Sequence, residues 1–182
     1  MYGGHFPVFG TEAGTRPPPV SFRDAKGRDI EIRAYGDGPV DSEYDALLEL
    51  YHDFDSAHRS LGIPPVRENR LHEWLDVMVS DYCVLAWHDD RAIGQAVLIE
   101  EEPGRCELAI FLHQDYHSAG IGTRLLEATL SYGREHGIEY VWLLVERENR
   151  RAVNLYNDVG FSVVDATNYD ITMALTLTDF GR

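Results

Sequence analysis

Lysine is almost missing from this sequence: of its 16 basic residues, all but Lys26 are arginine. Against them stand 31 acidic residues, for a formal charge of −15. A chain so poor in positive charge is not expected to hold DNA or RNA, because phosphate backbones need a basic face. Acid excess with little lysine resembles proteins of salt-accumulating halophiles, whose acidic surfaces stay soluble in brine. A high-GC genome, which favours arginine codons, combined with an acidic surface gives the same composition. Cysteine is scarce as well. Cys83 and Cys106 cannot form a disulfide framework, and their spacing fits no zinc motif. Long apolar runs are absent, and none approaches the ~20 residues that span a bilayer. The opening MYGGHFPVFGTEAGTRPPP has neither the basic start nor the apolar core of a signal peptide. The expectation is a cytoplasmic protein with no membrane partner. There is no internal repeat and no low-complexity tract. What is present is ordinary: 182 residues, 44% hydrophobic and 26% charged. That is one globular domain, long enough to bury a sizeable core.

Residues 1–20 are rich in Gly and Pro and end in Pro17-Pro18-Pro19. They read as an extension, and 21–182 as the domain. Alternation from Asp29 to Tyr35 predicts a strand, which Gly36-Asp37-Gly38-Pro39 breaks. Helical spacing predicts helices over Ser42–Phe54 and Arg67–Val79, joined by a loop through Gly62-Ile63-Pro64-Pro65. An antiparallel meander follows: Tyr82–Trp87, Ala92–Ile99 and Cys106–Leu112, with turns at Asp89-Asp90 and over Glu100–Gly104. Then come a helix over Ile121–His136, a strand over Glu139–Val145 and a shorter helix over Asn149–Asp158. Phe161–Val164 and Asp170–Leu177 complete the chain as strands. This order indicates an α+β or α/β layered domain.

The segment Leu112-His-Gln-Asp-Tyr-His-Ser-Ala-Gly-Ile-Gly-Thr-Arg-Leu-Leu126 carries the chemistry. It joins a predicted strand to a predicted helix. Gly120 and Gly122 bare the backbone where the helix starts, and the first N–H groups of a helix lack internal partners. With the helix dipole they form a phosphate site. A tight turn would also use these glycines. Two rival phosphate loops are excluded. A P-loop needs lysine before Thr123, and a dinucleotide fingerprint needs glycine at Leu125.

The segment resembles the acetyl-CoA loop of the GCN5-related N-acetyltransferase (GNAT) superfamily, Gln/Arg-x-x-Gly-x-Gly/Ala. The match is His117-Ser118-Ala119-Gly120-Ile121-Gly122, continued by Thr123-Arg-Leu-Leu-Glu127. A second signature lies downstream, Asn149-Arg-Arg-Ala152, Asn154-Leu-Tyr156 and Val159-Gly-Phe161. It is similar to the family's Asn-x-x-Ala…Leu-Tyr…Gly-Phe element. The resemblance implies a GNAT fold: a mixed, mostly antiparallel sheet of about seven strands flanked by about four helices. It also implies acetyl-CoA as co-substrate, no metal, and transfer of an acetyl group to an amine. The acceptor is left open, because the family varies most in its first two helices and their loop. A homodimer is common in the family. One departure stands out: His117 replaces the usual Gln or Arg. A neutral histidine offers a hydrogen bond there but no fixed charge, and can make affinity depend on pH.

The resemblance assigns roles. Tyr156 is the expected acid that protonates the departing thiolate; core packing is its bland alternative. A phenol keeps its proton at pH 7. Asn149, Ala152 and Tyr156 share one helical face and are expected at the cofactor. Glu107 is the expected base, acting through a water, with a surface charge as the bland alternative and Glu146 as a rival. The family's fourth and fifth strands splay to admit the pantetheine arm, so Ile110, Phe111 and Leu112 are expected to meet it through the main chain. Ala119, Gly120, Gly122 and Thr123 are the expected backbone donors to the pyrophosphate, with His117, Ser118 and Ile121 completing the loop.

Other groups read more plainly. His113 and His117 are four apart but fall in a loop without a third metal ligand. His52, His58 and His72 read as surface residues, and Trp74 as core. Glu100-Glu101-Glu102 reads as a solvated turn, or as a lure for cationic amines. Acidity favours a cationic acceptor: a polyamine, an aminoglycoside, a peptide N-terminus or a lysine. A different class of function stays open beside the enzyme, a regulator that binds acyl-CoA without turnover.

Overall fold

The computed structural model describes residues 16–55, 64–79 and 82–180. Most of the predicted extension, His58 and part of the predicted 62–65 loop lie outside the described residues. The elements in chain order are β1 (Val20–Arg23), β2 (Asp29–Ala34), α1 (Val40–His52), α2 (Glu68–Met78), β3 (Tyr82–His88), β4 (Arg91–Glu102), β5 (Arg105–Leu112), α3 (Ile121–Glu135), β6 (Tyr140–Glu146), α4 (Arg150–Val159), β7 (Ser162–Ala166) and β8 (Asp170–Thr176). One sheet runs β1-β2-β3-β4-β5-β6-β8-β7. Every pairing is antiparallel except β5 with β6, which α3 connects. The α+β layered expectation holds. Eight strands are described where about seven were expected, and β1, which begins inside the predicted extension, is the addition.

The meander has its expected order, but β4 is longer than its pattern implied. It runs through the three glutamates to Glu102, and only Pro103-Gly104 turns. A register shift between Glu100 and Glu102 lets the pairing continue. The Glu100 carboxylate accepts from Gly104 N–H at 2.9 Å, and Glu102 lies 3.6 Å from Arg105. Charge alone does not end a strand when one carboxylate meets an arginine of the partner strand and another meets the backbone of the turn.

The helices cover the two faces. α1 and α2 pack Leu47, Leu50, Leu71 and Leu75 onto Leu85 and Val97. α3 lies on the other face with Ile121, Leu125 and Leu126 fully buried. Burying a leucine stabilises by about 2–3 kcal/mol, so this stripe fixes where α3 begins. Gly133 permits the close approach, since a Cβ there would collide with the Leu98 side chain. α1 starts at Pro39 without a capping side chain. Instead the buried Glu43 reaches back and accepts from Gly36 N–H at 2.7 Å and Gly38 N–H at 3.2 Å.

Candidate active site

The parallel pairing of β5 with β6 ends early. Its register covers only Arg105/Tyr140, Cys106/Val141 and Glu107/Trp142. Beyond that the strands part, leaving the β5 edge open from Leu108 onward. The His113 N–H donates to Ile93 C=O at 2.8 Å, continuing the β4–β5 ladder. Antiparallel ladders alternate, so Phe111 and Ala109 bond to β4. Ile110 and Leu112 then aim their N–H and C=O groups at the open side. The register from Glu100/Cys106 to Gly94/Leu112 is regular, so these donors come from a flat strand edge rather than a bulge.

This edge forms one wall of a cleft of about 760 Å³. Ile110, Phe111 and Leu112 line it, followed by His117, Ser118, Gly120, Gly122 and Thr123. The opposite wall is Glu146, Glu148 and α4, with Asn149, Arg151, Ala152, Leu155 and Tyr156. The expected cofactor residues thus gather in one place. Ala119 and Ile121 contribute differently: their side chains are buried in the core, and only their main chains can face a ligand.

The loop geometry explains its glycine. Gly120 has φ +81° and caps α3 without a side chain. A Cβ there would meet nothing within 4 Å, so the space before the helix is open. At Gly122 a Cβ would make ordinary contacts with Leu155 and Leu112, at 3.7 and 3.9 Å. Ser118 also has positive φ, +57°, a strained choice for a non-glycine residue. The first turn of α3 carries no acidic residue. Its leading N–H groups and dipole therefore face open space with no carboxylate on the helix's own first turn, which is a fit for a pyrophosphate.

The loop is braced from an unexpected direction. Ala119 C=O accepts from Ala25 N–H at 3.1 Å, across the β1–β2 turn. Asp24, buried there, accepts from the N–H groups of Lys26 and Arg28, both at 2.9 Å, and pairs with the Arg28 side chain at 2.7 Å. These contacts outweigh the cost of burial and hold the Asp24 carboxyl below its ordinary range. Arg28 in turn donates to Asp115 C=O and covers the Tyr116 ring at 4.2 Å. Sequence reasoning missed this brace. Its signal was the Asp24-Ala-Lys-Gly27 turn, directly after residues assigned to an extension.

Asn149 has a local duty besides lining the cleft. It caps α4, its Oδ1 accepting from Ala152 N–H at 3.2 Å. Tyr156 is the one buried residue of α4, packed on Phe161 with ring centroids 5.8 Å apart. Burial pushes its phenol well above the ordinary range, so the proton is held at any physiological pH.

The two carboxylate candidates separate. Glu107 does not line the cleft. It stands at the apex where β5 and β6 part, on the same face as Phe111. Burial first, and Glu101 second, push its carboxyl up. About 10 Å of strand separates its Cα from that of Ile110, a span for water-mediated transfer. Glu146 lies in the cleft wall itself. At the α1 end, Phe111 meets Tyr51, Phe54 and Trp74 edge-on, with centroids 5.5–6.3 Å apart. Trp74 is half-buried in this cluster, as the core reading expected. Phe54, not anticipated there, also lines the cleft.

The remaining histidines have ordinary partners. His113 is buried and meets Asp53 at 3.0 Å, while His117 turns to Leu112 and Arg151. His52 pairs with Glu68 at 2.9 Å, and His72 stacks on Tyr44. Among the described residues no group of three or more His, Cys, Asp or Glu could hold a metal ion. Nor is any described helix long and apolar enough to cross a membrane.

The profile of the Acetyltransferase (GNAT) family matches residues 44–161. The chain belongs to this family. Among curated relatives, it is 36% identical over 69 residues to the mycothiol acetyltransferase of Propionibacterium freudenreichii, covering 36% of this chain and 22% of that protein. It is 32% identical over 60 residues to the spermidine N(1)-acetyltransferase of Escherichia coli, covering 32% of each. The chain thus spans a third or less of the length of these relatives. The GNAT domain of S. lividans PAT superposes with TM-score 0.72 at 15% identity, covering 87% of this chain and 96% of that one. YncA of Salmonella typhimurium, solved with acetyl-CoA, superposes with TM-score 0.64 at 18% identity, covering 84% and 96%. At those identities the GNAT structures support the fold.

Proposed function

We propose that this GNAT protein transfers an acetyl group from acetyl-CoA to a cationic primary amine by direct attack on the thioester. One observation carries the reading: the open β5 edge, the bare N-terminus of α3 and Tyr156 face a single cleft. That is where pantetheine, pyrophosphate and leaving sulfur would each need a partner. Acetyl-CoA supplies an activated acyl carbon; the chain positions it and manages protons. Ile110 N–H, on the open edge, donates to the carbonyl oxygen as negative charge develops. Tyr156 holds the proton for the sulfur. Its raised affinity for that proton is matched by the dry surroundings, which disfavour a thiolate as strongly as a phenolate. Glu107, through water, relieves the incoming amine of its proton, and Glu146 is the alternative base.

Two observations support a cationic acceptor: Glu146 and Glu148 line the cleft, and a relative is named for spermidine. The test is thiol release from acetyl-CoA against a pooled amine panel that includes spermidine, in low and molar KCl. Amine-dependent release is the expected result. Calorimetric binding of acetyl-CoA without release from any amine would replace the enzyme with an acyl-CoA-binding regulator.

A further inference from the structure

The loop that should meet the phosphates carries no cation of its own. His117 stands where the family resemblance led one to expect Gln or Arg, and Arg124, next to the loop, turns away to the Phe22 ring at 5.8 Å. Arg134, the other basic residue of α3, donates to Phe180 C=O at the far end of the helix. Three carboxylates, Glu146, Glu148 and Asp158, also line the cleft. In a chain of charge −15, a polyphosphate entering here meets repulsion unless a positive group stands close to Gly120 and Gly122.

Two arginines, Arg150 and Arg151, line the same cleft, and Arg151 is the one held against the loop. It is the second residue of α4, on the opposite wall, and its Nη1 lies 2.5 Å from His117 Nδ1. The other ring nitrogen of His117, Nε2, lies 2.8 Å from Leu112 C=O. A carbonyl can only accept, so Nε2 carries the hydrogen and Nδ1 presents a lone pair. Arginine can only donate, so the guanidinium gives one N–H to that lone pair. The histidine is therefore a neutral strut. It is anchored on the end of β5 and holds an arginine from the far wall against the loop. A guanidinium has five donors in a fork, and the strut uses one. Among the described residues no carboxylate lies within ion-pair distance of Arg151. The charge is thus held in place and left for a ligand.

We infer that Arg151, positioned by His117, is the phosphate-binding cation of this site and contacts the pyrophosphate of the acyl-CoA, a charge the loop itself lacks. The inference rests on the acetyl-CoA reading above and adds to it a specific donor. An arginine–phosphate pair is charge-assisted and forked, which makes it worth about a tenfold change in affinity at a solvent-open site.

Calorimetry with three ligands tests it in the full chain. For Arg151→Ala, acetyl-CoA should bind about tenfold more weakly than to wild type. The 3′-dephospho form of CoA should show the same loss, and acetyl-pantetheine, which has no nucleotide, should show none. A loss confined to the 3′-phosphorylated ligand would overturn the pyrophosphate assignment. Equal losses for all three would make Arg151 a structural residue and overturn the inference, as would wild-type affinity for acetyl-CoA. His117→Arg placed in the Arg151→Ala background gives an independent reading. It returns the charge to the loop and should restore most of the affinity; no recovery counts against the site. A wild-type protein that binds no acetyl-CoA would instead remove the proposed function, so the two failures are distinct.

Discussion

The two walls of the cleft are built by opposite means. The β5–loop–α3 wall is anchored throughout: α3 buries eight residues, and the β1–β2 turn grips the loop through Ala25 and Arg28. The α4 wall is thinly held. α4 buries only Tyr156, and every residue of β7, which follows it, is exposed. The proposed anion cradle consists of backbone N–H groups, which must be fixed in direction to be useful, so it belongs on the rigid wall. The groups proposed to handle a proton and a phosphate, Tyr156 and Arg151, are side chains that can adjust. They sit on the helix with the fewest anchors. Tyr156 carries two duties, since the residue that seats α4 is also the proposed acid.

The largest loss is expected when the rigid wall is spoiled. Gly120→Glu puts a side chain at φ +81° and a carboxylate into the open space before α3. Both the strain and the like charge oppose an anion. Acetyl-CoA affinity by calorimetry should fall by more than about 100-fold, two lost charge-assisted contacts' worth. Retained affinity would move the site elsewhere. The thin wall should fail differently. Tyr156→Phe keeps the ring against Phe161 and removes only the hydroxyl. kcat should drop about 100-fold, with acetyl-CoA affinity and melting temperature little changed. If kcat holds, Tyr156 serves packing alone.

The sequence shows the rigid wall more clearly than the thin one, and the reason is physical. α3 announces itself by a fully buried stripe and by Gly120, whose backbone angle favours one residue type. The meander and the β5–loop–α3 order follow from alternation and turn residues. What spacing cannot show is contact between distant segments. Arg151 lies within the Asn149-Arg-Arg-Ala152 signature, yet nothing local says that it crosses the cleft to His117. The Asp24–Arg28 turn is legible as a turn but not as a brace, because its partners Asp115 and Ala119 are about ninety residues away. The glutamates at the end of β4 misled for a related reason, since their partners, Arg105 and the Gly104 N–H, come from the turn and the next strand.

The smallest and sharpest effect is expected at the apex, where the two walls meet. Glu107 is half-buried, and burial, then the Glu101 charge, raise its affinity for a proton above that of an ordinary glutamate. In the folded state the proton is held more tightly than in the unfolded chain. The carboxyl therefore favours folding below the unfolded value, and that contribution is lost as pH rises through the folded value. At neutral pH the ionised carboxylate is a burden that Gln does not carry. Glu107→Gln should match wild type in melting temperature at acid pH and stand slightly above it at neutral pH. Its kcat/KM should fall about tenfold or more, and the acidic limb of the pH profile should disappear, whereas in wild type that limb lies above the ordinary glutamate value of ~4.3. Glu146→Gln, made in the cleft wall, should leave that limb in place. Were the limb instead lost with Glu146 and kept without Glu107, the base would sit on the thin wall beside Tyr156. The rigid wall would then bind the cofactor and polarise its carbonyl but take no part in moving the amine's proton.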